Sequence, residues 1–511
     1  MDSPTTSAAR TRGGVLVKAI HVRELRGGGS SICDIIDEDS RRGTGGDTTK
    51  LLKALRRREL RGHTTVNIHG NLFERNRQEW VYQKDLKGHK GCVNAVEFSP
   101  QEDYIVSGGD DCNVQIWRSV NCCLDSNPQP LGIMDTQHES NIFALRFSLH
   151  TDRIYSGGND YQLLIHDIQT KALIRSFTAD KCFYRISNHP ANDSVIAAAC
   201  EDGHVHIYDI RMESDQAVTK IELKGPVYSV EYNKQRPSLM AVCSNPDGLQ
   251  IYDLRNTKGC YAQAGLFTKN AICADWSPDG RAIFAIISRA NPIYFNLDNS
   301  EYIELRDPDY QNLCTLKSCT FVGPDYLVTG SDNWNIYVWK VPHKWDDEPI
   351  KQAYTVLNGH RSIVNHIRYS DRNNILVSCG VEKIVKCWSA TELPSSYKNP
   401  PRRARSGGIF IDRSESALDP DSMDEDLQVL YTFDHFYERA VQNRESDDDS
   451  MSLSMTSEED EEESVDSQIS VMDIAPSEID GFSDHDQNVG GQEQEEAESD
   501  QEFIISVLEN C

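Results

Sequence analysis

The sequence predicts an all-β fold, a seven-bladed β-propeller, with a short N-terminal helical segment and disordered tails. Three observations predict it. A unit of short strand patterns recurs along the middle of the chain, turn-forming clusters punctuate each copy, and composition shifts on both sides of the repeats. The clearest copy is GHKGCVNAVEFSPQEDYIVSGGDDCNVQIW, from Gly88 to Trp117. Residues 93–98 and 114–117 alternate apolar and polar side chains, and 104–107 form a strand pattern between them. Ser99-Pro100 and Gly108-Gly109-Asp110 supply the turns. The unit returns as GHRSIVNHIRYSDRNNILVSCGVEKIVKCW, from Gly359 to Trp388, with the same 28-residue step from His to Trp. Weaker copies run from His138 to Asp167, Asp180 to Asp209, Pro226 to Asp253, Asn270 to Phe295 and Lys317 to Trp339. Their starts lie 42 to 49 residues apart, which makes seven units.

A four-stranded sheet cannot bury both faces alone. Arranged radially, each sheet packs between two neighbours and only short edges remain. The spacing and the Gly-His, Ser, Asp and Trp positions resemble WD-repeat proteins, so the expected fold is a WD40-type propeller. In such blades these side chains form a buried polar chain, and His89, Ser107, Asp111 and Trp117 fit it fully. A half-made network is costly, so His89 reads as structural and not as a catalytic base. Glu382 replaces Asp in the last blade, Asn333 replaces it in the sixth, and the fifth has almost none of the set. Those blades are expected to rely on apolar packing. The last blade ends its third strand at Trp388 with little strand-like sequence after it. The alternating segment 81–86 (VYQKDL) can supply its outer strand and close the ring.

The flanks differ from the repeats. Residues 1–47, rich in Gly, Ser, Thr and Arg, are expected to be disordered. Residues 48–80 carry helical patterns. In KLLKALRRREL, Leu51, Leu52, Leu55 and Leu60 fall near one side, Thr48 or Thr49 can cap the start, and Gly62 can end it. A second short helix over 72–80 places Phe73, Arg77 and Trp80 on one face. This pair either packs on its own propeller or docks in a groove on a partner. The propeller takes 81–392. A disordered acidic tail takes 393–511, since from Pro401 onward 32 acidic residues face 6 basic ones, nearly all of the net charge of −28.

A near-neutral body and an acidic tail argue against a direct grip on nucleic acid. The polar start and the lack of a long apolar run predict neither secretion nor a membrane span, hence a nuclear or cytoplasmic protein. The 15 cysteines include no Cys-x-x-Cys pair, and adjacent Cys122 and Cys123 suit neither a zinc site nor an easy disulfide. Reduced thiols, no metal and no cofactor are expected. Phosphate-loop, nucleophile-elbow, zinc-protease and calcium-loop patterns are missing, which predicts a recruiting surface in place of an enzyme.

Two features suggest partners. The third and fourth units end in Tyr208-Asp209-Ile210-Arg211 and Tyr252-Asp253-Leu254-Arg255. Arg211 and Arg255 should therefore sit side by side on one rim, just beyond third strands. They either meet a partner or brace their own blades. On the opposite face, Tyr161, Tyr184, Arg289, Trp334 and Arg361 are expected as candidate contacts for a protein substrate. Trp334, in SDNWN, is the leading anchor unless its indole folds back over the channel.

The Asp-x-Arg pair is similar to the Trp-Asp-x-Arg signature of WD-repeat substrate receptors of cullin-4 RING E3 ubiquitin ligases, with Tyr in place of Trp at both positions. LKGHKGCVNAVEFS, SNIFALRFS, SGGND, GHRSIVNHIRYS, SCGVEKIVKCWS and the RRxLRG stretch at 57–62 also resemble this group, over about residues 50–390. The resemblance implies a non-catalytic receptor; the alternative is a general WD-repeat scaffold or chromatin-associated reader without a ligase link. The receptor's Asp209, Arg211, Asp253 and Arg255 would meet the damaged-DNA-binding adaptor, with a helical segment carrying Leu52, Leu55 and Leu60 entering an adaptor pocket. Cullin-4 would be engaged indirectly, and an unidentified protein would be the substrate.

Overall fold

A computed structural model describes Phe73 and residues 81–265, 268–342 and 349–398. The expectations for 1–47, for the acidic tail beyond 398, and for Leu52, Leu55 and Leu60 lie outside these residues. Of the segment 48–80, Phe73 alone is described. It is buried, with its ring edge-on to Tyr326 at 5.1 Å, so this side chain packs on its own propeller.

The described strands form seven antiparallel four-stranded sheets. In the first, Val93–Phe98, Tyr104–Gly109, Asn113–Arg118 and Gly132–Asp135 lie in sequence order from the centre outward. Five more blades repeat the pattern. The seventh combines Val364–Ser370, Ile375–Gly380 and Ile384–Ser389 with Tyr82–Lys87 from the other end of the ring. Seven apolar cores follow, one between each pair of neighbouring blades. The core joining blades 7 and 1 contains Leu86, Val93, Val96, Ile105, Trp117, Val377 and Val385. Blade 5 holds by the apolar packing its sequence predicted, with Ile283, Ala285, Ile293 and Phe295 on one face and Phe284, Ile286 and Tyr294 on the other.

The closing strand is held from several directions. Its register runs from Tyr82 opposite Ser389 to Lys87 opposite Ile384. On its outer edge Gln83 exchanges backbone hydrogen bonds of 2.8 and 2.9 Å with Tyr397, so the edge is covered. Asp85 pairs with Lys386 at 2.5 Å and accepts a hydrogen bond of 2.6 Å from the Tyr397 hydroxyl. Buried Lys84 donates to the carbonyls of Cys122, at 2.8 Å, and Asp125. Those carbonyls end a short helix, α1 (Ser119–Leu124), which projects from blade 1, and a cation there complements the helix C-terminus.

Charged residues of the innermost strands fill the channel. Arg146 bonds Glu97 at 2.7 Å and also Glu231, Arg368 bonds Glu97 at 2.9 Å, and Arg185 lies 3.5 Å from Glu231. Burial alone would raise the pKa of Glu97, but Arg368, Arg146 and Arg185 around it bring it down to about 2. His366 accepts from both Arg185 and Arg368 at 3.2 Å. Burial and these guanidinium groups push its pKa well below the usual range, so the ring is neutral.

Leu86 is fully buried at the closure. Replacing Leu86 with Ala is expected to cost about 2–4 kcal/mol, measured by denaturant unfolding of the full chain. A loss below about 1 kcal/mol would show that the closing strand contributes little to the ring.

Candidate functional site

The blade networks explain which polar residues are structural. In blade 1, His89 Nδ1 lies 2.9 Å from Asp111, His89 Nε2 lies 2.7 Å from Ser107 Oγ, and Trp117 Nε1 donates to the same hydroxyl at 3.0 Å. In blade 2, His138 contacts Asp160 and Ser156, each at 2.9 Å. His166 stands where the first blade has Trp117, and burial lowers its pKa to about 4. The expectation that blades 6 and 7 rely on apolar packing needs correction. Glu382 completes the last network. His360 lies 2.9 Å from Glu382 and 2.6 Å from Ser378, and Trp388 donates to Ser378 at 2.7 Å. The longer carboxylate meets its histidine at the same 2.9 Å that separates Asp111 from His89. In blade 6 a different polar contact appears, a fully buried Lys317–Asp332 pair at 2.5 Å.

The lower rim is formed by the connections from third to fourth strands. Asp209 ends the strand His204–Asp209 and Asp253 ends Gly248–Asp253. The residue after each donates its backbone N–H to the second-strand entry, Ile210 to Ser194 at 2.9 Å and Leu254 to Ser238 at 2.8 Å. The two Asp-x-Arg units therefore occupy equivalent places on consecutive blades. Arg211 Nε and Nη2 donate to Asp209 at 2.9 and 2.6 Å, and Arg255 Nε and Nη2 donate to Asp253 at 2.9 and 2.5 Å. These bonds hold both carboxylates at a pKa of about 2. Each arginine thus braces its own blade with one edge of the guanidinium. The side chains are still 65% and 76% exposed, and among the described residues neither Nη1 has a hydrogen-bond partner.

Sequence reasoning missed what surrounds these forks. Met212, Val218 and Tyr261, all more than half exposed, are apolar neighbours of Arg211 and Arg255 along the chain. Arg175, on the outer strand of blade 2, reaches across to the Ile210 carbonyl at 3.0 Å, to Met212, and to the Ser214 carbonyl at 2.7 Å. It clamps the loop that follows Arg211. Its partners are backbone carbonyls of another blade and the Asp215 carboxylate at 3.2 Å, a cross-blade set that no repeat motif marks.

On the upper face, Tyr161, Arg289 and Trp334 all occupy turns between second and third strands, and all have left-handed backbone, with φ of 63°, 61° and 71°. Blades 3 and 4 place Gly203 and Gly248 in the corresponding turns. A bulky residue there costs about 1–2 kcal/mol relative to glycine. Tyr161, Arg289 and Arg361 are exposed. Tyr184 is half-buried in the innermost strand of blade 3, in a row with Phe143 at 5.7 Å and Tyr228 at 5.5 Å. Trp334 is half-buried and packs with Leu313 against a small cluster of Cys92, Cys314, Ile363 and Val381. Its indole thus packs among residues that flank blades 6, 7 and 1. A cleft of about 440 Å³ that shares Leu313 with this cluster is lined by Arg289, Arg306, Asp307, Asn312 and Lys351 among others.

The geometry defines the class, a seven-bladed WD-repeat propeller. The family model for the WD domain, G-beta repeat, matches residues 80–118 and 351–389. The chain is a WD-repeat protein similar to DDB1- and CUL4-associated factor 5. It is 30% identical to the mouse and human forms over 456 residues, 84% of this chain and 46% of theirs. Mouse WD and tetratricopeptide repeats protein 1 is 30% identical over 281 residues, covering 51% of this chain and 39% of that protein. The chain spans about half the length of the first of these relatives or less. No helix among the described residues is long and apolar enough to cross a membrane.

Trp334→Ala is expected to cost about 1–2 kcal/mol in denaturant unfolding, less than the roughly 3–5 kcal/mol of a fully buried tryptophan, because relief of the left-handed strain is small and only part of the indole is covered. A loss above about 3 kcal/mol would make Trp334 a core residue and remove it from the candidate surface.

Proposed function

We propose that this chain is a non-catalytic substrate receptor of a cullin-4 RING ubiquitin ligase. The observation that carries the reading is the pair of exposed, self-braced Asp-x-Arg forks at equivalent places on blades 3 and 4. Bracing fixes the direction of each guanidinium before a partner arrives, so little side-chain freedom is lost on binding. The remaining donors suit backbone carbonyls or carboxylates at an interface. Exposed Met212, Val218 and Tyr261 add apolar area beside them, the mix expected at an interface centre. The name of the relative, a factor associated with DDB1 and CUL4, supports assigning this rim to the damaged-DNA-binding adaptor. Cullin-4 is then reached through the adaptor, and a protein substrate meets the upper face, at Tyr161, Arg289, Arg361, Trp334 and the aromatic row of Tyr184. The segment carrying Leu52, Leu55 and Leu60 is proposed to add a second adaptor contact.

The test is capture of purified adaptor by the full chain. The Arg211→Ala, Arg255→Ala double variant should retain at most about a tenth of the wild-type affinity, since each fork contributes on the order of 1 kcal/mol or more. Its unfolding midpoint should stay near wild type, because exposed ion pairs contribute little to stability. Unchanged capture by the folded double variant would remove the rim from the adaptor interface. No capture by the wild-type chain would count against the ligase reading itself.

A further inference from the structure

Blade 3 has lost most of the polar chain that blade 1 uses. Asp202 holds the place of Asp111, but Asp180 stands in place of His89, Ala198 in place of Ser107 and Tyr208 in place of Trp117. The orphaned carboxylate takes another partner from its own hairpin, His206, whose Nε2 lies 2.7 Å from Asp202 Oδ2. The local sequence is Cys200-Glu201-Asp202-Gly203-His204-Val205-His206. Strand register turns this spacing into a cluster. Ala198 lies opposite His206 and Ala199 opposite Val205. Side chains alternate along a strand, so Cys200, His204 and His206 project from one face of the hairpin. Asp202 sits in the turn between them, and the residue opposite His206 is the small Ala198.

From this juxtaposition we propose a divalent metal site of zinc type, with Cys200, Asp202 and His206 as ligands. Their ligand atoms all lie within 4.8 Å of one another. Zinc bonds of about 2.0–2.3 Å in a tetrahedron put ligand atoms roughly 3.3–3.8 Å apart, so closing the shell requires movements on the order of 1 Å. The fourth position belongs to His204, whose Nδ1 is already 3.4 Å from Asp202 Oδ1, or to water. One sulfur, one carboxylate and imidazole nitrogen form a borderline donor set that favours zinc over calcium or magnesium. Cys200 and His206 are buried, while His204 is nearly one-third exposed, which gives the ion an entry side. Coordination replaces the Asp202–His206 hydrogen bond and the Cys200 thiol hydrogen, which now points at the Lys181 carbonyl at 3.4 Å. The thiol proton leaves to solvent, and the proton on His206 Nε2 passes through solvent to Nδ1 so that Nε2 can bind the ion. The ion would staple the second and third strands at their upper end. The third strand carries Asp209 at its lower end, so the staple would also steady the fork of Arg211.

Cobalt is the probe. The full chain is stripped with a chelator under reducing conditions and titrated with Co²⁺, while thiolate-to-cobalt absorption is followed. About one equivalent should saturate the band, and Zn²⁺ should displace it and raise the melting temperature. Cys200→Ser, close in shape, should abolish the band and the thermal shift. Asp202→Asn and His206→Ala should weaken cobalt binding at least about tenfold. Wild-type chain without a band at one equivalent of Co²⁺ overturns the proposal. A band of equal strength in Cys200→Ser also overturns it, by assigning the ion to other thiols. If Cys200→Ser does not fold, the Asp202→Asn titration decides, since unchanged affinity there excludes the site.

Discussion

The antiparallel pairing of Tyr82–Lys87 with Ile384–Ser389 is the constraint on which the rest of the ring depends. It joins residues as distant as Asp85 and Lys386, 301 positions apart. Each blade buries its two faces only because it has two neighbours. Without the pairing, blade 7 would keep three strands and the core of Leu86, Val93, Trp117 and Val385 would open to water. The ion pairs in the channel follow from the same closure. Glu97 of blade 1 meets Arg146 of the next blade along the chain, but it meets Arg368 of blade 7 only when the circle is complete. Buried ion pairs are weak evidence for stability, since desolvation offsets attraction. Here they fix which innermost strands face one another.

Closure also separates two surfaces along the same strands. The third strand of each blade runs from an upper turn to the lower rim. In blade 3 it carries His204 and His206 near one end and Asp209 at the other. A partner at the Arg211 and Arg255 forks therefore leaves the upper turns open to a second protein. The strained turns give those upper positions physical content. Glycine would relieve the left-handed backbone of Tyr161 and Trp334, as it does at Gly203 and Gly248, yet large side chains occupy them. Strain of this kind commonly accompanies binding sites.

Much of this was legible because it depends on local pattern. Alternation gave Val93–Phe98, the Ser-Pro and Gly-Gly-Asp turns gave the hairpins, and the missing outer strand of the last unit pointed to the segment before Gly88. The network of His89, Ser107, Asp111 and Trp117 was readable because four residue types recur at fixed offsets. What escaped depends on three-dimensional slack or on long reach. Glu382 was read as a defect, although one additional methylene still lets a carboxylate meet His360. Lys317 and Asp332 gave no warning of their buried contact, since neither occupies a repeat position known for it. Arg175 clamps mostly carbonyls, which carry no side-chain signature, and its one carboxylate partner, Asp215, lies 40 positions away outside any repeat position. The grouping of Cys200, His204 and His206 on one face needed the register of two strands, which alternate spacing alone does not supply.

We propose that the lower rim of blades 3 and 4 docks the adaptor while the upper face stays open. Hydrogen–deuterium exchange on the full chain, with and without purified adaptor, tests this most directly. Slowed exchange is expected in residues 210–218 and 254–261, with no change in the upper turns around Tyr161, Arg289 and Trp334. Slowed exchange confined to those upper turns, in a complex that forms, would contradict it.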